Sequence, residues 1–142
     1  MYVYPNLSPL PTEVSAQSLT SAGVKQQFLC PRPVNLVFVG FAISDATVST
    51  GNIVVTVKKR NGVGISAGES VLTTITIPGG VAAGKVYGKY IDPKLLQVGE
   101  VVAFEVTTAA SGGGAAGAGY SIVQVNYSPE ELANNSDFVQ SA

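Results

Sequence analysis

About six or seven runs of this chain alternate side chains with a period of two, and none sustains the 3.6-residue period of an amphipathic helix. That absence of helical pattern leaves few architectures. "VKQQFLC" (24–30) reads as a short strand stopped by Pro31 and Pro33. "VNLVFVGFAIS" (34–44) reads as a buried strand, with Val34, Leu36 and Phe38 on one face and Val37, Val39, Phe41 and Ile43 on the other. Gly40 within it predicts a bulge or a close backbone approach. "IVVTVKKR" (53–60), "SVLTTITIP" (70–78), "VVAFEVTT" (101–108) and "YSIVQVNY" (120–127) follow the same alternation. "KVYGKYID" (85–92) reads as an edge strand with Lys85 and Lys89 as charged guards. The expected loops are 44–52 and the Asn-Gly turn at 61–64. Residues 93–100 read as one helical turn followed by a tight turn at Gly99. Strands of this length with Gly, Pro and Asn punctuation predict an all-β fold, a two-sheet β-sandwich or jelly roll. A chain of 142 residues is one domain. The expected layout is an extended arm over 1–22, a β-sandwich over 23–128 and a polar tail over 129–142.

The stretch 109–119 is built only of Ala, Ser and Gly. A phosphate-cradling loop needs a helix behind it and a Gly-Lys-Ser/Thr signature, and there is no Lys from residue 95 onward. The stretch lies between two strand patterns instead. It reads as a hairpin loop joining the last two strands, with close approach to a neighbouring chain as the sharper alternative.

The side-chain inventory argues against catalysis. The chain has no His, which removes the commonest general base and most transition-metal sites. Cys30, the single cysteine, has no activating partner in view and reads as a small buried hydrophobe; being unpaired, it fits synthesis in a reducing cytoplasm. The nine acids are scattered, and Asp45 and Asp92 read as turn caps rather than as a catalytic or calcium-binding pair. No cofactor is expected. A net charge of −1 gives no electrostatic capture of nucleic acid, and no apolar run is long enough for a membrane span. The N-terminal stretch lacks the basic and apolar regions of a signal peptide.

Only 12% of residues are charged against 46% apolar, which points to a surface covered in part by other subunits. Candidate partner-binding residues follow. Pro5, Pro9 and Pro11 forbid a helix in the arm, yet Tyr2, Val3, Tyr4, Leu7 and Leu10 are too apolar for a solvated tail. The arm packs on its own domain or on a neighbour. Lys58, Lys59 and Arg60 form the one charge run, with Lys58 and Arg60 sent to one face and Lys59 to the other. They read as a strand end that guards an edge, or as a docking point for an acidic surface such as a neighbour's Glu130, Glu131 and Asp137. Tyr87 and Tyr90 flank the possible edge; exposed, they would favour a glycan-binding face.

The order of these parts resembles the small head-decoration or cement proteins of tailed bacteriophages. It is carried by the apolar arm, "VNLVFVGFAIS", "IVVTVKKRNG", "VLTTITIP", "LLQVGEVVAFEVTT" and the Gly/Ala stretch leading to "YSIVQVNYSPEE". The resemblance covers about residues 24 to 130 and implies a non-enzymatic jelly-roll module on the capsid exterior. It implies major capsid protein and self, as homodimer or homotrimer, as partners. A phage tail-fibre or baseplate module, or a carbohydrate-binding sandwich, is the alternative.

Overall fold

In a computed structural model, which describes residues 5–6, 16–62, 64–65 and 67–127, the alternating runs become strands of two antiparallel sheets. The strands are β1 (Pro5–Asn6), β2 (Gln17–Ser18), β3 (Gly23–Leu29), β4 (Val34–Val48), β5 (Ile53–Arg60), β6 (Ser70–Ile77), β7 (Val86–Leu96), β8 (Val101–Thr108) and β9 (Ala116–Tyr127). Among the described residues there is no helix, and so none long and apolar enough to cross a membrane. The five-stranded sheet runs β1-β9-β4-β7 with β2 also on β9, and the four-stranded sheet runs β3-β8-β5-β6. The pairs are nested: β5 with β6, β4 with β7, β3 with β8, β2 with β9. Successive nested pairs fall in alternate sheets, which is the wrapping of a jelly roll. The expected all-β sandwich is the observed fold.

The core lies between the sheets, and β4 shows how it is filled. Val34, Leu36, Val39, Phe41 and Ile43 are all buried in it. Strict alternation splits this set between two faces. The split is removed by a register shift between Leu36 and Phe38, seen in the pairing with both β7 and β9. One extra residue re-aims the rest of the strand by half a period, so Val39 and Phe41 join Leu36 inside and Phe38 turns outward.

Other boundaries also depart from expectation. Residues 44–48 continue β4 rather than opening a loop. Thr47 there is buried; its hydroxyl accepts the Val81 N–H at 2.7 Å and donates to the Pro78 carbonyl at 3.3 Å. Residues 93–96 continue β7 instead of forming a helical turn, while the tight turn at Gly99 (φ 87°) is present. Pro93 is tolerated because β7 is an edge strand and the register slips between Leu36–Lys94 and Phe38–Tyr90.

The Gly/Ala stretch is not a hairpin. β8 and β9 belong to different sheets, so the chain crosses from one layer to the other. The crossing is tied to the β4–β5 loop: the Thr50 N–H donates to the Ser111 carbonyl at 2.9 Å, and the Ser111 N–H donates to Ser49 Oγ at 3.1 Å. From Ala116 the chain is already β9, lying against β4 of the same molecule.

The 22/23 boundary of the expected arm moves as well. β2 pairs with β9, and Leu19 is 0% exposed in the core. Its N–H donates to the Gly117 carbonyl and its carbonyl accepts the Ala110 N–H, both at 2.9 Å. Residues 17–19 are therefore part of the sandwich. Tyr2, Val3, Tyr4, Leu7 and Leu10 lie outside the described residues.

Candidate docking surfaces

The two outer faces of the sandwich differ in chemistry, and β5 makes the first of them. It is an inner strand of its sheet, flanked by β8 and β6, so Lys58, Lys59 and Arg60 guard no edge. They meet acids of their own chain. Lys58 Nζ sits 2.8 Å from Glu105 Oε1 and 3.2 Å from Glu69 Oε1. Arg60 Nε donates to Glu69 Oε2 at 3.0 Å. Lys59, on the opposite face as alternation requires, donates to Glu100 Oε2 at 2.8 Å. Val101 and Ala103 stay out of the core cluster and are still fully buried. Register places them beside Arg60 and Lys58, whose aliphatic stems can cover them while the charged heads pair. Cross-strand Thr56 and Thr107 add a hydroxyl pair at 2.9 Å. The neighbour's proposed complement, Glu130, Glu131 and Asp137, lies outside the described residues.

Glu100 also closes the β7–β8 turn, because its Oε1 accepts the Gln97 N–H at 2.7 Å. That backbone bond, then Lys59, holds its carboxyl below the usual range. Glu69 is lowered chiefly by its bond to Lys58, and Lys58 is raised by Glu105 and then Glu69. Cys30 is buried, and burial followed by the nearby Glu100 pushes its thiol up to about 11; it stays protonated at neutral pH and is no nucleophile. Lowered carboxylates contribute stability above their unfolded value of about 4.5 that is lost as pH falls through the folded value. The raised Lys58 contributes stability below about 10.5 that is lost as pH rises through its folded value. Cys30 acts with the same sign, its thiol ionising near 9 in the unfolded chain and only near 11 in the folded one. Chemical-denaturation midpoints should therefore be flat from about pH 5.5 to 8 and fall on both sides. In Glu69→Gln the acid-side fall should shrink.

The outer face of the five-stranded sheet is the reverse. Register sets its side chains in rows across β7, β4 and β9: Leu95–Asn35–Asn126, Tyr90–Phe38–Gln124, Gly88–Gly40–Ile122 and Val86–Ala42–Tyr120. No position in these rows is Asp, Glu, Lys or Arg. Four large apolar side chains are exposed there: Tyr90 at 82%, Val86 at 55%, Leu95 at 46% and Tyr120 at 38%. The Phe38 ring lies 4.9 Å from the Tyr90 ring, centroid to centroid, and covers the paired glycines. A Cβ at Gly88 would fall 2.5 Å from Phe38 Cζ, and one at Gly40 would fall 2.9 Å from Phe38 Cε2. Gly40 thus marks the close approach that the sequence predicts. Tyr90 is on this face, whereas Tyr87 packs against the core. Leu95 and Phe38 escape sequence reasoning, because the bulges on β4 and β7 decide which way they point, whereas Val86 shares the face of Tyr90 by plain alternation.

Between the edges of β6 and β7 lies a groove of about 470 Å³, lined by Ser70, Val71, Leu72, Ile91, Asp92 and Lys94. It holds one carboxylate beside one ammonium, not two opposed acids. Asp45 pairs with Ala118 near one end of β4, while Asp92 lies across from the bulge near Leu36. Roughly 25 Å of strand separates them at about 3.3 Å per residue. Among the described residues no group of three or more His, Cys, Asp or Glu gathers to hold a metal. No protein-family model, no curated protein and no solved structure matches this chain.

Proposed function

We propose that this protein is a bacteriophage virion component: a capsid decoration, or cement, protein that binds the outside of the head. As a self-associating, non-enzymatic unit it would stabilise contacts between major capsid protein capsomers. One observation carries the reading: four adjacent rows of the outer face of the five-stranded sheet hold no Asp, Glu, Lys or Arg, with Asp45 beyond them beside Ala118, whereas Lys58, Arg60, Glu69 and Glu105 on the opposite face pair within the chain. Such a face can be covered without stripping water from ions.

Magnitudes favour a repeated lattice over a lone partner. The four rows span about 23 Å along the strands and about 14 Å across them, or roughly 300 Å². At ~25 cal/mol per Å² the gross gain is about 8 kcal/mol, and the freedom lost on association consumes much of it. A stand-alone interface buries about 800 Å² on each side. A patch this small holds well only when many symmetric copies act together.

Co-sedimentation with expanded empty heads assembled from major capsid protein tests the reading. The native chain should pellet with the heads. Tyr120→Lys combined with Gln124→Lys should lower apparent affinity at least about tenfold with an unchanged melting temperature, since each lysine must be desolvated on docking. A native chain that stays in the supernatant ends the reading. Tyr90, at 82% exposure with the amides of Asn35 and Gln124 in register on the same face, favours a second reading as a neutral-glycan binder. Retention on a glycan array without head binding would select it.

A further inference from the structure

We infer that two copies of this chain pair edge to edge through β7, antiparallel about a two-fold axis at Gly88, and merge their four charge-free rows into one surface. The inference deepens the self-association part of the proposed function and rests on it.

The main chain of β7 sets the geometry. The Ile43 N–H donates to the Lys85 carbonyl at 2.8 Å. Antiparallel pairs alternate between bonded and non-bonded, so Phe41–Tyr87 and Val39–Lys89 are bonded pairs. Ala42–Val86, Gly40–Gly88 and Phe38–Tyr90 are then non-bonded pairs. Val86, Gly88 and Tyr90 therefore point N–H and C=O away from β4. β7 ends its sheet, and among the described residues no strand pairs with its outer edge. A row of alternating free donors and acceptors is a template for another strand.

The side chains select the same strand of a second copy as that partner. A two-fold axis at Gly88 sets Val86 opposite the partner's Tyr90, and Tyr90 opposite the partner's Val86. Both are aromatic to β-branched pairs on the outer face. The Gly88–Gly88 centre brings no side chain between the strands. On the inner side Lys89 meets the partner's Tyr87, so the lysine that would guard a free edge faces an aromatic ring rather than a like charge. Registers shifted by two residues break the Val86–Tyr90 match. The bulge between Tyr90 and Lys94 limits regular pairing to 86–90.

The consequence for docking is geometric. A two-fold axis normal to the sheet keeps both outer faces on one side. The rows β9-β4-β7 of one copy continue into β7-β4-β9 of the other, and the roughly 300 Å² patch doubles to roughly 600 Å². That approaches what one side of a stable interface needs.

Sedimentation equilibrium and cysteine cross-linking on the full chain test the pairing. The native protein should show a reversible dimer mass. Val86→Lys with Tyr90→Lys, which places lysine opposite lysine, should shift it to monomer with circular dichroism unchanged. Independently, Val86→Cys combined with Tyr90→Cys should give a disulfide-linked dimer on mild oxidation. Opposed bonded residues lie about 5.5 Å apart at Cα, within disulfide range. Either cysteine alone should not cross-link, and native Cys30 is buried away from the edge. A native monomer, a native trimer, a dimer indifferent to the lysines, or equal cross-linking by single and double cysteine variants overturns the pairing. A native monomer that still pellets with heads overturns the pairing and spares the decoration reading. A β7-dependent dimer that ignores heads does the opposite.

Discussion

Gly119→Ala should cost about 3 kcal/mol or more of unfolding free energy, and Gly119→Val should leave little folded protein at 37 °C. Gly119 is a buried position of β9, opposite Ile43. A Cβ there would collide with the carbonyl oxygen of Ala42 and stand 2.5 Å from Phe41 Cε1. Neither neighbour can yield cheaply. Ala42 lies in the middle of β4, which is paired on both sides, and Phe41 is fully buried in the core. Overpacking of a core costs about 1–3 kcal/mol when side chains can shift, and more when the backbone must. With each kcal/mol worth about 3–5 °C at this chain length, the melting temperature of Gly119→Ala should fall by about 10 °C or more. Gly113→Ala is the control. It lies in the same Ala/Gly stretch, has nothing within 4 Å of its added Cβ and is not at positive φ. Its midpoint should move by less than about 0.5 kcal/mol. Urea denaturation of the pair checks the claim. Equal small effects would mean that the glycines only connect strands and admit no close approach.

That contrast explains what was legible in the sequence. β5, β6 and β8 are readable to within a residue, because "IVVTVKKR", "SVLTTITI" and "VVAFEVTT" alternate without interruption and end at turn formers. β4 is readable as a strand, but its faces are not. A period-two rule has no means of counting the extra residue between Leu36 and Phe38, and the outward turn of Phe38 follows from it. Residues 44–48 look like a loop because Ser, Asp and Thr form turns. They are the far end of β4, with Asp45 solvated and Thr47 turned inward to bind the 78–81 loop. Pro93 looks like a strand end and sits within an edge strand instead. The Gly/Ala stretch looks like a connector because small residues carry no periodic signal. Their smallness is the signal, and it is read only against the strand they touch. The candidate surface was partly legible: Gly40 and Tyr90 are visible in the sequence, whereas the charge-free grid arises when β7, β4 and β9 are set side by side. The charge run at 58–60 looked available to partners because its acids, Glu69, Glu100 and Glu105, come from distant segments brought together by β6 and β8. All three cations of that run pair with acids of their own chain, on both faces of β5.

Deleting residues 1–22 should abolish stable folding rather than merely weaken association. An N-terminal arm that served only as a tether could be removed at little cost to the sandwich. Leu19 makes that impossible, being 0% exposed within the core cluster. Leu19→Ala alone should cost about 2–5 kcal/mol, the transfer free energy of the lost side chain plus the cavity left between the sheets. The deletion costs more. It orphans the Ala110 N–H and the Gly117 carbonyl, both bonded to Leu19, at about 1–3 kcal/mol for each group left buried and unpaired. It also strips β2 from Gly119 and Ala118 and leaves that end of β9 an open edge. Against a total stability of about 5–15 kcal/mol these losses are decisive. Guanidinium denaturation of Leu19→Ala, with circular dichroism and solubility of the deletion, measures both. A deletion that stays folded while its association is lost would return 1–22 to the role of a free arm. Unfolding of the deletion together with a shifted midpoint in Leu19→Ala would place the start of the structural domain at or before residue 17, and any N-terminal arm that reaches a partner would then lie upstream of β2.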